Sequence, residues 1–183
     1  MNNPLPTGAT IGILGGGQLG RMLALAAARL GFKTHIFEPA ENPSAGQVCD
    51  QLTTASYEDE VALKAFAKAV DVITYEFENI PTSALDILES QKPIHPNRTA
   101  LSTSQDRLVE KTFLQELGLK TAPFANVESD ADLTKAVVTI DTPAILKTRR
   151  FGYDGKGQVR IMSPGDQDGA FAAVGENPSV LEG

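Results

Sequence analysis

Five cations, Lys147, Arg149, Arg150, Lys156 and Arg160, fall within one short stretch around a single acid, Asp154, and three glycines, Gly152, Gly155 and Gly157. That stretch carries +4 in a chain of net charge −7. Glycines among cations suit a polyphosphate, because bare backbone N–H groups can approach the oxygens while side chains neutralise them. At about 4 Å and an effective dielectric of about 20, each cation–phosphate pair contributes about 4 kcal/mol before desolvation. No G-x-x-x-x-G-K-[ST] loop occurs anywhere in the chain, so this is not a loop of that type. The bland alternative is a solvated basic hairpin, which leaves the three glycines unexplained. Arg107 and Lys111 stand four apart and so share a helix face. By themselves they read as surface charges; with that face turned to the basic loop, Arg107 becomes a phosphate ligand.

A second group of residues lies near the start. Gly15, Gly17 and Gly20 satisfy G-x-G-x-x-G between a β-branched run and an Ala-rich segment. In that context Gly15 permits a tight turn, Gly17 exposes backbone to a ligand, and Gly20 lets helix and strand pack closely. The helix start beyond them offers free N–H groups. Glu38 ends the next strand, where a dinucleotide fold keeps its ribose-binding acid. Glu76, in the run Tyr75-Glu-Phe-Glu-Asn-Ile-Pro81, closes a further strand. In an open α/β sheet the ends of these strands share one rim, where a carboxylate accepts from an amine or a hydroxyl. The plain alternatives are a packing turn for the glycines and a solvated or capping acid for Glu76.

These residues need a scaffold, and the hydrophobic pattern predicts it. Strands are expected over 10–14, 33–38, 51–55 and 71–76, with helices over 18–30, 58–70 and 81–90. Strand and helix alternating at this spacing give crossover units and a doubly wound parallel sheet. After residue 95 the character changes. Two helical segments are expected over 97–117, a strand over 124–127, and a helix starting at Ser129, whose Ser-x-x-Asp spacing resembles a capping box. Residues 143–147 and 158–162 read as a hairpin flanking the basic loop, 166–174 as a helix, and 180–182 as a strand opening with its edge unpaired. Phe37, Phe66 and Phe113 read as core, and His35 and His95 as structural. The organisation that follows is a Rossmann-like domain over 1–103 and the start of an α+β domain over 104–183.

Composition removes other classes. Apolar residues make up 42% and charged residues 21%, ordinary globular usage. Net negative charge, no Trp and no basic–aromatic interleaving argue against nucleic acid. The longest apolar run near the start spans residues 22–28, far short of the about 20 needed to cross a bilayer. One cysteine, Cys49, and two histidines show no zinc-ligand spacing. The single cysteine fits a reducing cytoplasm. On the glycine motif alone, an NAD- or FAD-dependent oxidoreductase or a non-catalytic nucleotide-binding fragment stays open.

Three motifs in order, GGGQLGRM at 15–22, YEFENIP at 75–81 and KTRRFGYDGKGQ at 147–158, resemble the ATP-grasp ligases of the 5-(carboxyamino)imidazole ribonucleotide synthase family of purine biosynthesis. The resemblance covers nearly the whole chain. It implies a pre-ATP-grasp domain followed by an incomplete ATP-grasp domain. The implied reaction is phosphorylation of bicarbonate by ATP and carboxylation of aminoimidazole ribonucleotide. It implies ATP contacts from Arg107, Lys147, the glycine-rich cover Gly152, Tyr153, Asp154, Gly155, Lys156, Gly157 and Gln158, and Glu182. Tyr153, Asp154 and Lys156 match residues around bicarbonate and carboxyphosphate; Gln18, Leu19 and Glu76 match contacts to the ribonucleotide; Glu38 matches none. It further implies magnesium, with ligands beyond Gly183 and none in this chain, and a homodimer when full length. This chain by itself is expected to be unable to complete the reaction.

Overall fold

The structure, a computed structural model, describes residues 4–152 and 155–183. The chain divides into two compact units, Met1–Leu101 and Ser102–Gly183.

In the first unit, β1 (Thr10–Leu14), β2 (Lys33–Glu38), β3 (Gln51–Thr54) and β4 (Val72–Tyr75) form one sheet in the order β3-β2-β1-β4. Every pairing is parallel. The helices α1 (Gln18–Arg29), α2 (Glu60–Lys68) and α3 (Thr82–Glu89) are the crossovers, and α4 (Arg98–Ser104) follows. Strand alternation sends Leu14, Phe37 and Ile73 into a core with Leu63, Phe66, Leu85 and Leu88, and Ile13 and Ile36 to the other face. Both faces are therefore covered, as a parallel sheet requires. Helix α2 begins where Asp59 accepts a hydrogen bond from the Ala62 N–H, and it buries Leu63, Phe66 and Ala67 at helical spacing. His35 lies inside this sheet, its Nε2 2.8 Å from Thr53 Oγ1 and its ring edge-on to Phe66. Burial holds its pKa below the ordinary value. The His95 N–H donates to the Ile73 carbonyl. Parallel pairing brings the carboxyl ends of β1, β2 and β4 to one rim.

In the second unit, β5 (Phe124–Val127), β6 (Ala144–Thr148), β7 (Gln158–Ile161) and β8 (Ser179–Glu182) form an antiparallel sheet in the order β5-β8-β6-β7. Helices α5 (Arg107–Glu116), α6 (Asp130–Ile140) and α7 (Ala170–Ala173) complete it. Val127, Leu133, Val137, Leu146, Phe171 and Leu181 make its core. Ser129 caps α6, accepting from the Asp132 N–H.

Three expectations are corrected. The single helix over 166–174 is instead a 3-10 turn, Pro164–Gln167, and the short α7, broken at Gly169 with φ +75°. The strand expected to open with an unpaired edge is β8, which lies inside the sheet and bonds to both β5 and β6. Phe113 is 42% exposed, because α5 buries no residue and reaches β8 through the Lys111 side chain. Among the described residues no helix is long and apolar enough to cross a membrane.

Candidate active site

On the rim of the first sheet the glycine turn closes against two carboxylates. Gly15 adopts φ +104°, and a Cβ there would stand 2.8 Å from Glu76 Oε1; only glycine meets both conditions. A Cβ on Gly20 would lie 2.6 Å from the Gly15 carbonyl oxygen, the close helix–strand approach expected of it. The Gly16 N–H donates to Glu38 Oε2 at 2.7 Å, and the Gly17 N–H to Glu76 Oε1 at 2.9 Å. Glu38 Oε1 also accepts from the Ala40 N–H. The donors a pyrophosphate would use are thus occupied by anions, and a phosphate placed there would face like charge at contact distance. That speaks against the dinucleotide alternative. It leaves a rim suited to ligand donors, amines and hydroxyls.

Gln18 and Leu19 stand exposed in the first turn of α1, next to Gly17, so the three residues expected to contact a ribonucleotide, Gln18, Leu19 and Glu76, do converge. Two further residues meet at this turn. Glu38 was noticed by position but matched to no role. Tyr57 carried no signal at all; it is buried, and its hydroxyl lies 3.5 Å from the Phe37 carbonyl. Burial first, then the Glu38 and Glu76 carboxylates, push its phenol well up, against a lowering contribution from the Gly15 backbone.

On the second sheet, alternation and register separate charge from core. Leu146 and Leu181 pair and point into the core. Lys147 opposes Gln158, and Ile145 opposes both Arg160 and Glu182, which puts these five on the other face. There Lys147 Nζ donates to Glu182 Oε2 at 2.9 Å, and Lys111 Nζ reaches the same oxygen from α5 at 3.4 Å. Lys111 also lies over the Phe124 ring, 5.5 Å from its centroid. Two ammonium groups on one carboxylate leave an excess of positive charge. A cavity of about 390 Å³ opens beside them, lined by Ile145, Lys147, Arg160, Met162 and Glu182 among others.

The glycine-rich loop leaves and re-enters this sheet through a fixed root. The Thr148 N–H donates to the Gly157 carbonyl at 2.8 Å. Gly157 has φ +68°, and a Cβ on it would meet Thr148 Oγ1 at 2.6 Å. Arg107 turns toward this root. Its Nη1 donates to the Thr148 carbonyl at 3.2 Å and its Nη2 to the Gly152 carbonyl at 3.1 Å. Among the described residues no carboxylate forms an ion pair with Arg107. Arg149, counted in the sequence only as one more cation, is paired with Asp106: Nε lies 3.0 and 3.1 Å from the two carboxylate oxygens and Nη2 2.7 Å from one. Burial pushes the Asp106 carboxyl up, but Arg149 and the Val109 and Leu108 N–H groups outweigh it and hold the group below its usual range. Beyond the root, Gly155 and Lys156 are exposed, and Gln158 is exposed at the start of β7. Tyr153 and Asp154 lie outside the described residues. Arg107, Gly152 and Gly157 are therefore brought together at the root, and Lys147 and Glu182 on the sheet. Lys111 and Asp106 are the participants sequence reasoning left out or undervalued.

Fixed cations beside a glycine loop give this face the chemistry to bind an anion. Comparison with known proteins follows the same division. Residues 8–105 match the family model described as the ribonucleotide synthetase preATP-grasp domain, and residues 112–183 match the ATP-grasp domain. The chain is 50% identical over 181 residues to an N5-carboxyaminoimidazole ribonucleotide synthase of Brucella melitensis, covering 98% of this chain and 50% of that one. It is similar to the N5-carboxyaminoimidazole synthetase of Staphylococcus aureus solved with ADP, with TM-score 0.93 and 42% identity over 99% of this chain and 48% of that one. It is also similar to the synthase of Aspergillus clavatus solved with ADP and 5-aminoimidazole ribonucleotide, with TM-score 0.85 and 31% identity over 96% and 46%. The chain spans about half the length of these relatives.

Proposed function

The chain belongs to the ribonucleotide synthetase preATP-grasp family, and from that premise we propose that it is the substrate- and ATP-contacting part of a ligase that carboxylates aminoimidazole ribonucleotide with bicarbonate at the expense of ATP. A bicarbonate oxygen attacks the γ-phosphorus, ADP leaves, and carboxyphosphate forms. The exocyclic amine of the ribonucleotide then takes the carboxyl carbon, directly or as released carbon dioxide. Phosphate and a proton depart, and the carbamate remains. The domain hand-over lies near Thr103.

The observation that carries this proposal is the Lys147–Glu182 pair between β6 and β8, on a cation-rich sheet face where β6 leads into the glycine loop and β7 leads out of it. Lys147 and Arg107 hold phosphate oxygens, and Glu182 reads the adenine and ribose. Gly152, Gly155, Gly157 and Gln158 form the cover, which shields labile carboxyphosphate from water. Tyr153, Asp154 and Lys156 surround bicarbonate. On the first unit Gln18, Leu19 and Glu76 hold the ribonucleotide, and the anchored carboxylates at the glycine turn favour its donors over its phosphate. Phosphoryl transfer needs chiefly positioning and neutralised charge, and these residue types supply both.

Magnesium accompanies ATP in this chemistry. Among the described residues no group of three His, Cys, Asp or Glu side chains gathers to hold an ion. The proposal extends to a homodimer, supported by the exposed apolar side chains Met22 and Leu23 on α1 and Leu30 just past its end, and to a cytoplasmic location, supported by the single cysteine. The test is ADP release by the purified synthase that contains this chain. Release that requires both bicarbonate and aminoimidazole ribonucleotide is expected; ATPase activity indifferent to both would overturn the proposal.

A further inference from the structure

Asp106 uses one carboxylate for two tasks. Its Oδ1 accepts from the Leu108 and Val109 N–H groups and so caps α5. Both oxygens also receive the Arg149 fork. Capping alone requires neither the charge nor the second oxygen: Ser129 starts α6 with a hydroxyl. The pair is well shielded, with 12% of the Asp106 side chain and 21% of the Arg149 side chain exposed, so its geometry is held more firmly than that of a surface bridge.

What the fork holds is the entry to the glycine loop. Arg149 follows directly on β6; its N–H donates to the Pro178 carbonyl, just before β8, and its carbonyl accepts from the Arg107 N–H. The Arg107 guanidinium in turn donates to the carbonyls of Thr148 and Gly152, which flank Arg149 and Arg150 along the chain. The start of α5, the first residues of the loop and the approach to β8 therefore meet at one ion pair. A shift of that pair displaces Arg107 and the loop entry together.

We propose that Asp106 and Arg149 form a positioning pair, contacting no substrate themselves, that sets the aim of Arg107 at the nucleotide phosphates and the path of the chain through Thr148 and Arg149 into the glycine loop. The proposal rests on the nucleotide-binding function proposed above. Lysine supplies the charge of Arg149 without its planar fork, and asparagine keeps a capping oxygen at 106 without the charge. The informative variants are therefore Asp106→Asn, Arg149→Lys and the double variant, made in the complete synthase. Three quantities are read: thermal stability, kcat and KM for ATP, and tryptic cleavage after Lys156 with and without Mg·ATP. Each single variant is expected to raise the ATP KM by about tenfold while kcat changes by less than about threefold, and to need correspondingly more ATP to protect the Lys156 bond. The double variant is expected to lose no more than the worse single one, since either change already breaks the pair. Unchanged ATP KM and protection in Arg149→Lys, or fully additive losses, would overturn the inference. Arg149→Lys leaves the α5 cap intact, so it decides the matter even if Asp106→Asn does not fold. A wild-type enzyme with neither turnover nor ATP protection overturns the nucleotide reading, and this inference with it.

Discussion

Glu182 shares one oxygen between Lys147 and Lys111, so removing either lysine leaves the carboxylate partnered while reducing the positive charge offered to a phosphate. Lys147→Ala is therefore expected to raise the ATP KM by about tenfold or more with the fold intact; steady-state kinetics and a melting curve check this, and an unchanged KM removes Lys147 from the phosphate site. Gly157 is constrained both by φ +68° and by Thr148 Oγ1. Gly157→Ala should cost about 1–3 kcal/mol locally and appear as weakened ATP protection of the loop in limited proteolysis. Asp154→Ala is expected to lower kcat more than it raises the ATP KM, and the reverse order would reject its place near bicarbonate. At this scale the sequence disclosed residue types well. Lys147 and the three loop glycines stand out by charge and spacing, whereas Arg107 by itself read as a surface charge and was marked only by the resemblance. Asp106 did not, because its partner is 43 positions away and nothing local marks an aspartate as more than a cap.

Secondary structure in the first unit was legible because periodicity and capping agree: β1, β2 and β4 are β-branched runs, α2 starts at Asp59, and its buried face repeats at 63, 66 and 67. The failures came where local pattern competes with tertiary packing. The 166–174 segment has helical composition, yet Gly169 takes a left-handed conformation that splits it. Phe113 looks like core, yet α5 turns its cations to the sheet. The clearest element-level prediction concerns β2. His35 is buried, its Nδ1 finds no hydrogen-bond partner among the described residues, and burial holds its pKa below the ordinary value. A base with a depressed folded pKa contributes fully above its unfolded pKa, and that contribution is lost as pH falls below it. Thermal stability should thus drop as pH falls below the ordinary histidine range, and His35→Gln should flatten the drop; an equal drop in the variant would assign it to other groups. Phe66, which touches both His35 and Phe37, should cost about 3–5 kcal/mol when truncated to Ala, read from denaturant unfolding.

Across the whole molecule, charge is distributed unevenly: the stretch 147–160 is positive and the remainder carries −11. A net acidic protein with one basic loop attracts a small polyanion locally while its overall field repels nucleic acid. Nucleotide choice follows from the two loops. ATP present at about 100 times its Kd should stabilise the protein by about 2.7 kcal/mol, seen as a raised Tm, whereas NAD should leave Tm unchanged because Glu38 and Glu76 occupy the first glycine turn. A comparable shift with NAD would reinstate the dinucleotide alternative. Order along the chain, the doubly wound parallel sheet and the basic, glycine-rich character of the loop were legible in the sequence alone, since hydrophobic period, glycine placement and local charge are properties of neighbouring residues. Which donors stay free, which carboxylates seal the glycine turn, and which ion pair holds the loop entry were decided only by the tertiary structure, because each depends on groups that folding alone brings within hydrogen-bond distance.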